Sequence, residues 1–407
     1  MSVTTAELVR TCEDVHGYIR RICFKTGPPS VVGAELEWLV ADPHRPRAPV
    51  PLDLLRIALH DTAPPPNGSS ITFEPGGQLE LSSPPAVGLT ACRQALDGDL
   101  ASVRRTLDDL GLDLVPAAID PAREPVRQLH EPRYDAMEAY YDRIGDAGRV
   151  MMCSTAAIQV NLDAGVDPAD VAGRWDLLNA LGPVVVAAFA NSPTHAGRAT
   201  GLKSTRQSIW QRLDPPRTSR AVPGADPVIG WAEYALDAPV LMIRREPGWI
   251  PDPGLTFRQW VDGAGDPPTH DDLAYHLTTL FPPVRPRGWF EVRYIDAQPL
   301  AWWPVPVAVL SALVDDPAAR AGALAAARPV AGSWHDAARH GLADPALAEA
   351  AGRCFALAVD ALDRQGVDPR LVALVEAYRD EYVARGRCPA DDTIDLHPTA
   401  RSTKEPS

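Results

Sequence analysis

"FEPGGQLELS", residues 73–82, packs a reversal and the start of a strand into one short stretch. Pro75-Gly76-Gly77 supplies the φ-permissive chemistry of a tight turn. Gln78-Leu79-Glu80-Leu81 then alternates polar with apolar residues, the period-two mark of a strand with one buried face. The segment therefore predicts the return strand of an antiparallel hairpin. The same split recurs at 32–40, where Val32, Ala34, Leu36, Trp38 and Val40 oppose Glu35 and Glu37. At 158–163, Ile158, Val160 and Leu162 oppose Gln159, Asn161 and Asp163; at 290–294, Phe290, Val292 and Tyr294 oppose Glu291 and Arg293.

Antiparallel sheets often keep one face wet, usually dressed with Thr, Ser and Lys. These four strands carry Glu, Gln and Asn with a single Arg. Side chains two apart on one face stand roughly 7 Å from each other. Converging carboxylates repel by about 1 kcal/mol per pair in water and by more when shielded. A cation would offset that, and oxygen donors without Cys or an obvious His suit Mg²⁺ or Mn²⁺. Mg²⁺ held by carboxylates commonly takes phosphate oxygens as its other ligands, so a nucleotide is the expected guest. The sequence contains no GxxxxGK[ST] loop and no GxGxxG opening a helix after a strand. Arginines gather instead in "GLKSTRQSIWQRLDPPRT" (201–218) and "FPPVRPRGWFEVR" (281–293). Guanidinium groups grip phosphate and carboxylate bidentately. Arg293 stands out because it shares a strand face with Glu291.

The 407-residue chain is 45% hydrophobic with a formal net charge of −14, which argues for a globular protein and against a nucleic-acid binder. Its six cysteines (12, 23, 92, 153, 354 and 388) form no CxxC pair or zinc spacing. Free thiols fit a reducing cytoplasm. No charged-then-apolar leader opens the sequence, and the longest apolar run, "LGPVVVAAFA" at 181–190, falls short of the ~20 residues that span a bilayer. A cytoplasmic protein with no membrane contact is expected.

Thr4 and Glu7 have capping-box spacing and predict a first helix from there. Further helices are expected at 88–110, 130–148, 168–190 and 270–280, and a strand at 112–119. Thr269 and Asp272 read as a helix start, which makes His270 and His276 structural rather than metal ligands. Cys153 reads as a small buried residue. Residues 196–230, rich in Gly, Pro, Arg and Ser, predict a long loop system. From 304 to 386 the pattern is helical without strands. The polar tail 389–407 is expected to be disordered. Strands interspersed with helices, without βαβ regularity and with a hairpin, give an α+β class and one catalytic domain over 1–388.

The motifs resemble the glutamate–cysteine ligases of the plant and proteobacterial type, within the glutamine synthetase-like ligases, and most of all their actinobacterial form in the ergothioneine pathway. The resemblance runs in order over about residues 30–300. It comprises Gly33-Ala34-Glu35-Leu36-Glu37, the Glu74–Glu80 hairpin, "QVNLD" at 159–163, "ANSP" at 190–193, Arg206 to Trp210, and "HLTTLFPPVRPRGWFEVRYID" at 276–296. It implies a mainly antiparallel, curved sheet with a polar active-site face and helices on the other. It further implies ATP-dependent joining of L-glutamate to L-cysteine through γ-glutamyl phosphate. By resemblance Glu35, Glu37, Glu80 and Glu291 hold Mg²⁺ (or Mn²⁺), Arg293 holds a substrate carboxylate, and Gln159 and Asn161 line the glutamate or nucleotide site. Arg206 and Arg285 contact phosphates or the acyl phosphate, with Gln78 and Glu74 nearby. The segment "WQRLDPPRT" keeps only part of the family's acidic stretch, so Asp214 and Arg217 receive no role. A related ligase with another acceptor amine, or a non-catalytic protein on the same scaffold, remains an alternative.

Overall fold

The computed structural model describes residues 7–61, 64–221, 226–245 and 248–396. Helix α1 (Cys12–Ile22) is capped by Thr11, whose hydroxyl accepts from the Asp14 N–H while Asp14 answers to the Thr11 N–H. Thr4 lies outside the described residues and Glu7 precedes the helix, so the capping box sits seven residues later than predicted. Both sites have the same spacing, and Leu8, after the earlier one, pairs with Thr269.

Strand β1 (Val31–Ala41) is the spine of the sheet. After α2 (Leu52–Asp61) come β2 (Ser70–Phe73), β3 (Leu79–Ser82), β4 (Ala86–Val87), α3 (Leu89–Asp109) and β5 (Asp113–Val115). Helices α4 (Pro132–Tyr141) and α5 (Ala147–Ser154) replace the single predicted helix over 130–148, and β6 (Ala157–Asp163) follows. Helix α6 (Pro168–Phe189) starts on an Asp167 cap with Pro168 in its first turn. Beyond it lie the hairpin β7 (Thr194–His195) and β8 (Arg198–Ala199), then α7 (Thr205–Leu213), α8 (Pro215–Thr218) and α9 (Pro227–Asp237). The expected loop system of 196–230 thus holds helices at 205–213, 215–218 and from 227 onward. Pro215, Pro216 and Pro227 occupy first-turn positions, where the missing N–H has no cost.

The hairpin β9 (Met242–Arg244) and β10 (Trp249–Pro251), α10 (Phe257–Val261) and α11 (His270–Thr278) lead to β11 (Val284–Pro286) and β12 (Trp289–Asp296). The main sheet runs β11-β12-β6-β1-β3-β2, every pairing antiparallel, with β4 and β5 also on β1. Its apolar face is the predicted one: Leu36, Leu79, Leu81, Val160, Phe290 and Val292 are fully buried. Each such side chain contributes roughly 1.5–3 kcal/mol on leaving water.

The C-terminal part is α12 (Pro304–Asp315), α13 (Pro317–Ala327), α14 (Trp334–His340), α15 (Pro345–Arg364), α16 (Pro369–Glu381) and α17 (Pro389–Leu396). Asp316, Asp344 and Asp368 each cap a helix beginning with proline. Helices α6 and α12 meet the sheet, while α13 and α15 pack behind them as a second layer. Helix α17 corrects the disordered-tail expectation for 389–396; residues 397–407 lie outside the described residues. The helix is tied down by the Ala390 N–H donating to the Ala190 carbonyl at 2.9 Å, by Lys203 against Asp391, and by the Tyr382 hydroxyl on Asp392 at 2.7 Å. Among the described residues no helix is long and apolar enough to cross a membrane.

Candidate active site

Strand register decides which polar residues meet. Glu37 stands opposite Glu80, Glu35 opposite Gln159, Gly33 opposite Asn161, and Asn161 opposite Glu291. Like charges in direct register destabilise a sheet unless something compensates them. Here Glu35, Glu37, Glu74 and Glu80 line a cavity of about 340 Å³ together with Arg133, Arg206, Arg285, Arg287 and Arg293. The acids come from β1 (Glu35, Glu37), from β3 (Glu80) and from the turn between β2 and β3 (Glu74).

The acids are partly compensated by the sheet's amides. Glu37 accepts from the Ala157 N–H and the Gln159 amide, both at 2.9 Å, and Glu35 accepts from the Asn161 amide at 3.0 Å. Glu80 accepts from the Ser82 hydroxyl at 2.6 Å. Compensation is incomplete. Burial, with Glu291 and Glu80 nearby, pushes Glu35 up to about 7. Burial and Glu80 push Glu37 up to about 7 as well, and Glu74, buried against Glu37 and Glu80, lies well above the usual carboxylate range. Crowded oxygen donors of this kind fit a hard divalent cation. Among the described residues no three Asp, Glu, His or Cys side chains already converge on one point as a coordination shell.

Glu291 behaves differently from its predicted partners. It is fully buried and accepts from Arg285 at 2.6 and 3.1 Å, Arg287 at 2.9 Å and Arg293 at 3.0 Å. Burial opposes its charge, yet Arg285 and Arg293 hold the carboxyl well below its ordinary range. Glu291 is the anchor of the arginine wall, and ligating a cation would mean yielding some of those contacts. Arg293 also donates to Gln159 at 2.6 Å, and Gln159 in turn donates to Glu37, which links the arginines to the acids. Burial lowers Arg285 to about 10.

Arg206 enters from α7. Its guanidinium donates to the Arg293 carbonyl at 2.8 Å and lies 3.6 Å from Asp296, while Nε and Nη1 are buried without a hydrogen-bond partner. A buried cation with unmet donors is prepared for an anion. Asp296 in turn accepts from the Ser192 and Ser204 hydroxyls, so the "ANSP" segment serves to brace Arg206.

Gln78 lines the cavity, but its amide is engaged with the backbone: it donates to the Met152 and Thr155 carbonyls and accepts from the Gly76 N–H. It shapes the turn. Asp214 and Arg217 lie outside the cavity as a buried strut, Arg217 donating to Asp214, Thr279 and Pro239. His276 is buried on the Ala235 carbonyl, and burial lowers it to about 3, in keeping with a structural role. Sequence reasoning missed the apolar lining: Met137, Met151, Met152, Tyr134, Trp210 and Phe281. Trp210 was visible in "RQSIWQR", whereas the methionines sit on α4 and α5 without any motif. A second cleft, of about 380 Å³, abuts the first at Glu35 and is lined by Asn161, Pro28, Val31, Pro85 and Trp289. The Trp289 indole donates to Asn161 at 3.0 Å.

A family model described as glutamate–cysteine ligase family 2 matches residues 31–406. The chain belongs to that family. It is 44% identical over 390 residues to the glutamate–cysteine ligase EgtA of Mycobacterium tuberculosis, covering 93% of this chain and 88% of the relative. It is 41% identical over 399 residues to EgtA of Mycolicibacterium smegmatis (95% and 91% covered) and 31% identical over 355 residues to the chloroplastic enzyme of Arabidopsis thaliana (81% and 66%). Among solved structures, a glutamate–cysteine ligase from Francisella tularensis in complex with AMP superposes with a TM-score of 0.54 at 15% identity, covering 92% of this chain and 86% of that one. A bifunctional glutathione synthetase from Pasteurella multocida also gives 0.54, at 16% identity, covering 96% and 52%. These two share the fold of this ligase.

Proposed function

We propose that this ligase forms γ-glutamylcysteine from L-glutamate and L-cysteine, converting ATP to ADP and phosphate, in the cytoplasm and for ergothioneine biosynthesis. The observation that carries the reading is one cavity lined by four carboxylates and five arginines. The glutamate γ-carboxylate attacks the γ-phosphorus of ATP, ADP leaves, and the cysteine amine then displaces phosphate from the acyl phosphate with loss of a proton. Arg293, fixed by Glu291 and Gln159, holds a substrate carboxylate. Arg206, with its unmet donors, meets the charge that develops on the transferring phosphoryl group. Asn161 orients Glu35 and Trp289, and Trp289 with Pro28 and Pro85 forms a flat apolar cleft fit for a purine. The Met151 and Met152 side of the cavity offers a soft, polarizable surface to the thiol.

Glu35, Glu37 and Glu80, with Glu74 beside them, are the residues that would hold Mg²⁺, and Glu291 would join only by releasing an arginine. When bound, the metal neutralises triphosphate charge and polarises the phosphoryl group. The test is phosphate release by purified protein with ATP, Mg²⁺ and glutamate against a panel of amines. Turnover that depends on cysteine is expected. Turnover with another amine but not cysteine would transfer the reading to a related carboxylate–amine ligase.

A further inference from the structure

A third cavity, of about 580 Å³, shares the Glu74–Gln78 turn with the catalytic one. Glu74 and Pro75 line the catalytic side, Gly76 and Gly77 line this one, and Gln78 belongs to both. Its volume suits a small metabolite. Arg47, Arg123 and Arg198 surround it. Arg123 is committed to Asp120 and to the Val40 carbonyl. Asp120 is likewise engaged, by Arg123 and by the Ala122 and Arg123 N–H groups. Arg47 and Arg198 have neither an ion pair nor a side-chain hydrogen bond among the described residues. Glu124 is the remaining carboxylate of the wall and is exposed; Val40, Val50 and Val126 supply an apolar floor.

Two of the segments around this cavity continue directly into the catalytic machinery. The turn is clamped by Gln128, whose amide donates to the Gly76 carbonyl at 2.9 Å and whose N–H donates to the Pro75 carbonyl at 2.7 Å. Glu74 and Glu80 flank that turn. The hairpin β7–β8, which carries Arg198, is held by the Ala196 N–H on the Asp120 carbonyl and the Gly197 N–H on the Pro121 carbonyl. It runs on to Thr200, whose hydroxyl meets that of Thr205 at 2.6 Å, next to Arg206.

We infer that this cavity binds a small organic dianion, carboxylate or phosphate, gripped between Arg47 and Arg198 with its apolar body on the valines, and that occupancy tunes the catalytic cavity through the shared turn. The experiment titrates phthalate and phenyl phosphate separately into the full chain by calorimetry, with glutamate and a non-hydrolysable ATP analogue present to fill the catalytic cavity. At least one probe should bind at a single site, and the two probes tell carboxylate from phosphate. The Arg47→Ala/Arg198→Ala variant should bind it at least tenfold more weakly while its phosphate-release rate without probe stays within twofold of the parent. In the parent the probe should shift KM for glutamate at least twofold. Absence of binding by both probes, equal binding by the variant, or binding with no kinetic shift would overturn the inference. The calorimetric arm needs no turnover, so it stands or falls separately from the ligase reading.

Discussion

Glu35→Gln should make the ligand-free protein more stable at pH 8 and much less so at pH 5. Burial and the neighbouring Glu291 and Glu80 raise the folded carboxyl from 4.5 to about 7. A raised acid weakens folding as pH climbs through the window between those two values, because the unfolded chain releases its proton first. At about 1.4 kcal/mol per unit, the ionised side chain costs roughly 3 kcal/mol at pH 8 and under about 1 kcal/mol at pH 5. Glutamine removes the charge and keeps an oxygen to accept from the Asn161 amide, now at 3.0 Å. Equilibrium urea unfolding in EDTA at both pH values reads the difference; with a slope of about 3 kcal/mol/M, the gain at pH 8 is about 1 M in midpoint. Adding Mg²⁺ and a non-hydrolysable ATP analogue should reverse the order, since only the parent keeps the full acidic wall. A variant whose midpoint follows the parent's at both pH values would refute the crowding of these carboxylates.

Glu291→Gln should act in the opposite sense, losing about 3–5 kcal/mol near neutral pH because buried arginines lose their shared partner. Its folded carboxyl lies below the unfolded one, so the contribution is present above pH 4.5 and fades as pH falls, which chemical denaturation across pH 3–7 would follow. Gly76→Ala places a Cβ 2.1 Å from the Cys153 carbonyl, so the turn must move; turnover should fall by roughly two orders of magnitude, read against the parent by phosphate release. Trp289→Ala should raise KM for ATP about tenfold with little change in kcat, as expected from losing one base–aromatic stack.

The sheet was legible because alternation is written locally: Leu79 and Leu81, or Ile158 and Val160, name their own face. The polar face was legible as composition, and its wall of acids follows once β1 lies between β6 and β3. The arginine clasp was not. Arg285 meets Glu291 through the β11–β12 register, and Arg287 was visible in its stretch without any sign of its partner. Thr4-to-Glu7 and Thr11-to-Asp14 have the same capping grammar, and spacing alone does not mark the second as the one that opens α1. The prolines at 215 and 227 read as loop punctuation, yet each opens a helix. The polar composition of 389–396 concealed a helix whose docking partners, Ala190 and Lys203, lie some two hundred residues earlier in the chain.

The order in which the walls are synthesised has a kinetic consequence. The crowded acids of β1 and β3 emerge within the first 82 residues, and four of the five guanidinium groups that share their cavity come from 206–293. Until β12 closes onto β6, the nascent hairpin must keep its carboxylates protonated, solvated or splayed. Such long-range closure is slow relative to local hairpin formation. Refolding should therefore pass through a late, salt-sensitive step, faster in mildly acidic buffer than in alkaline.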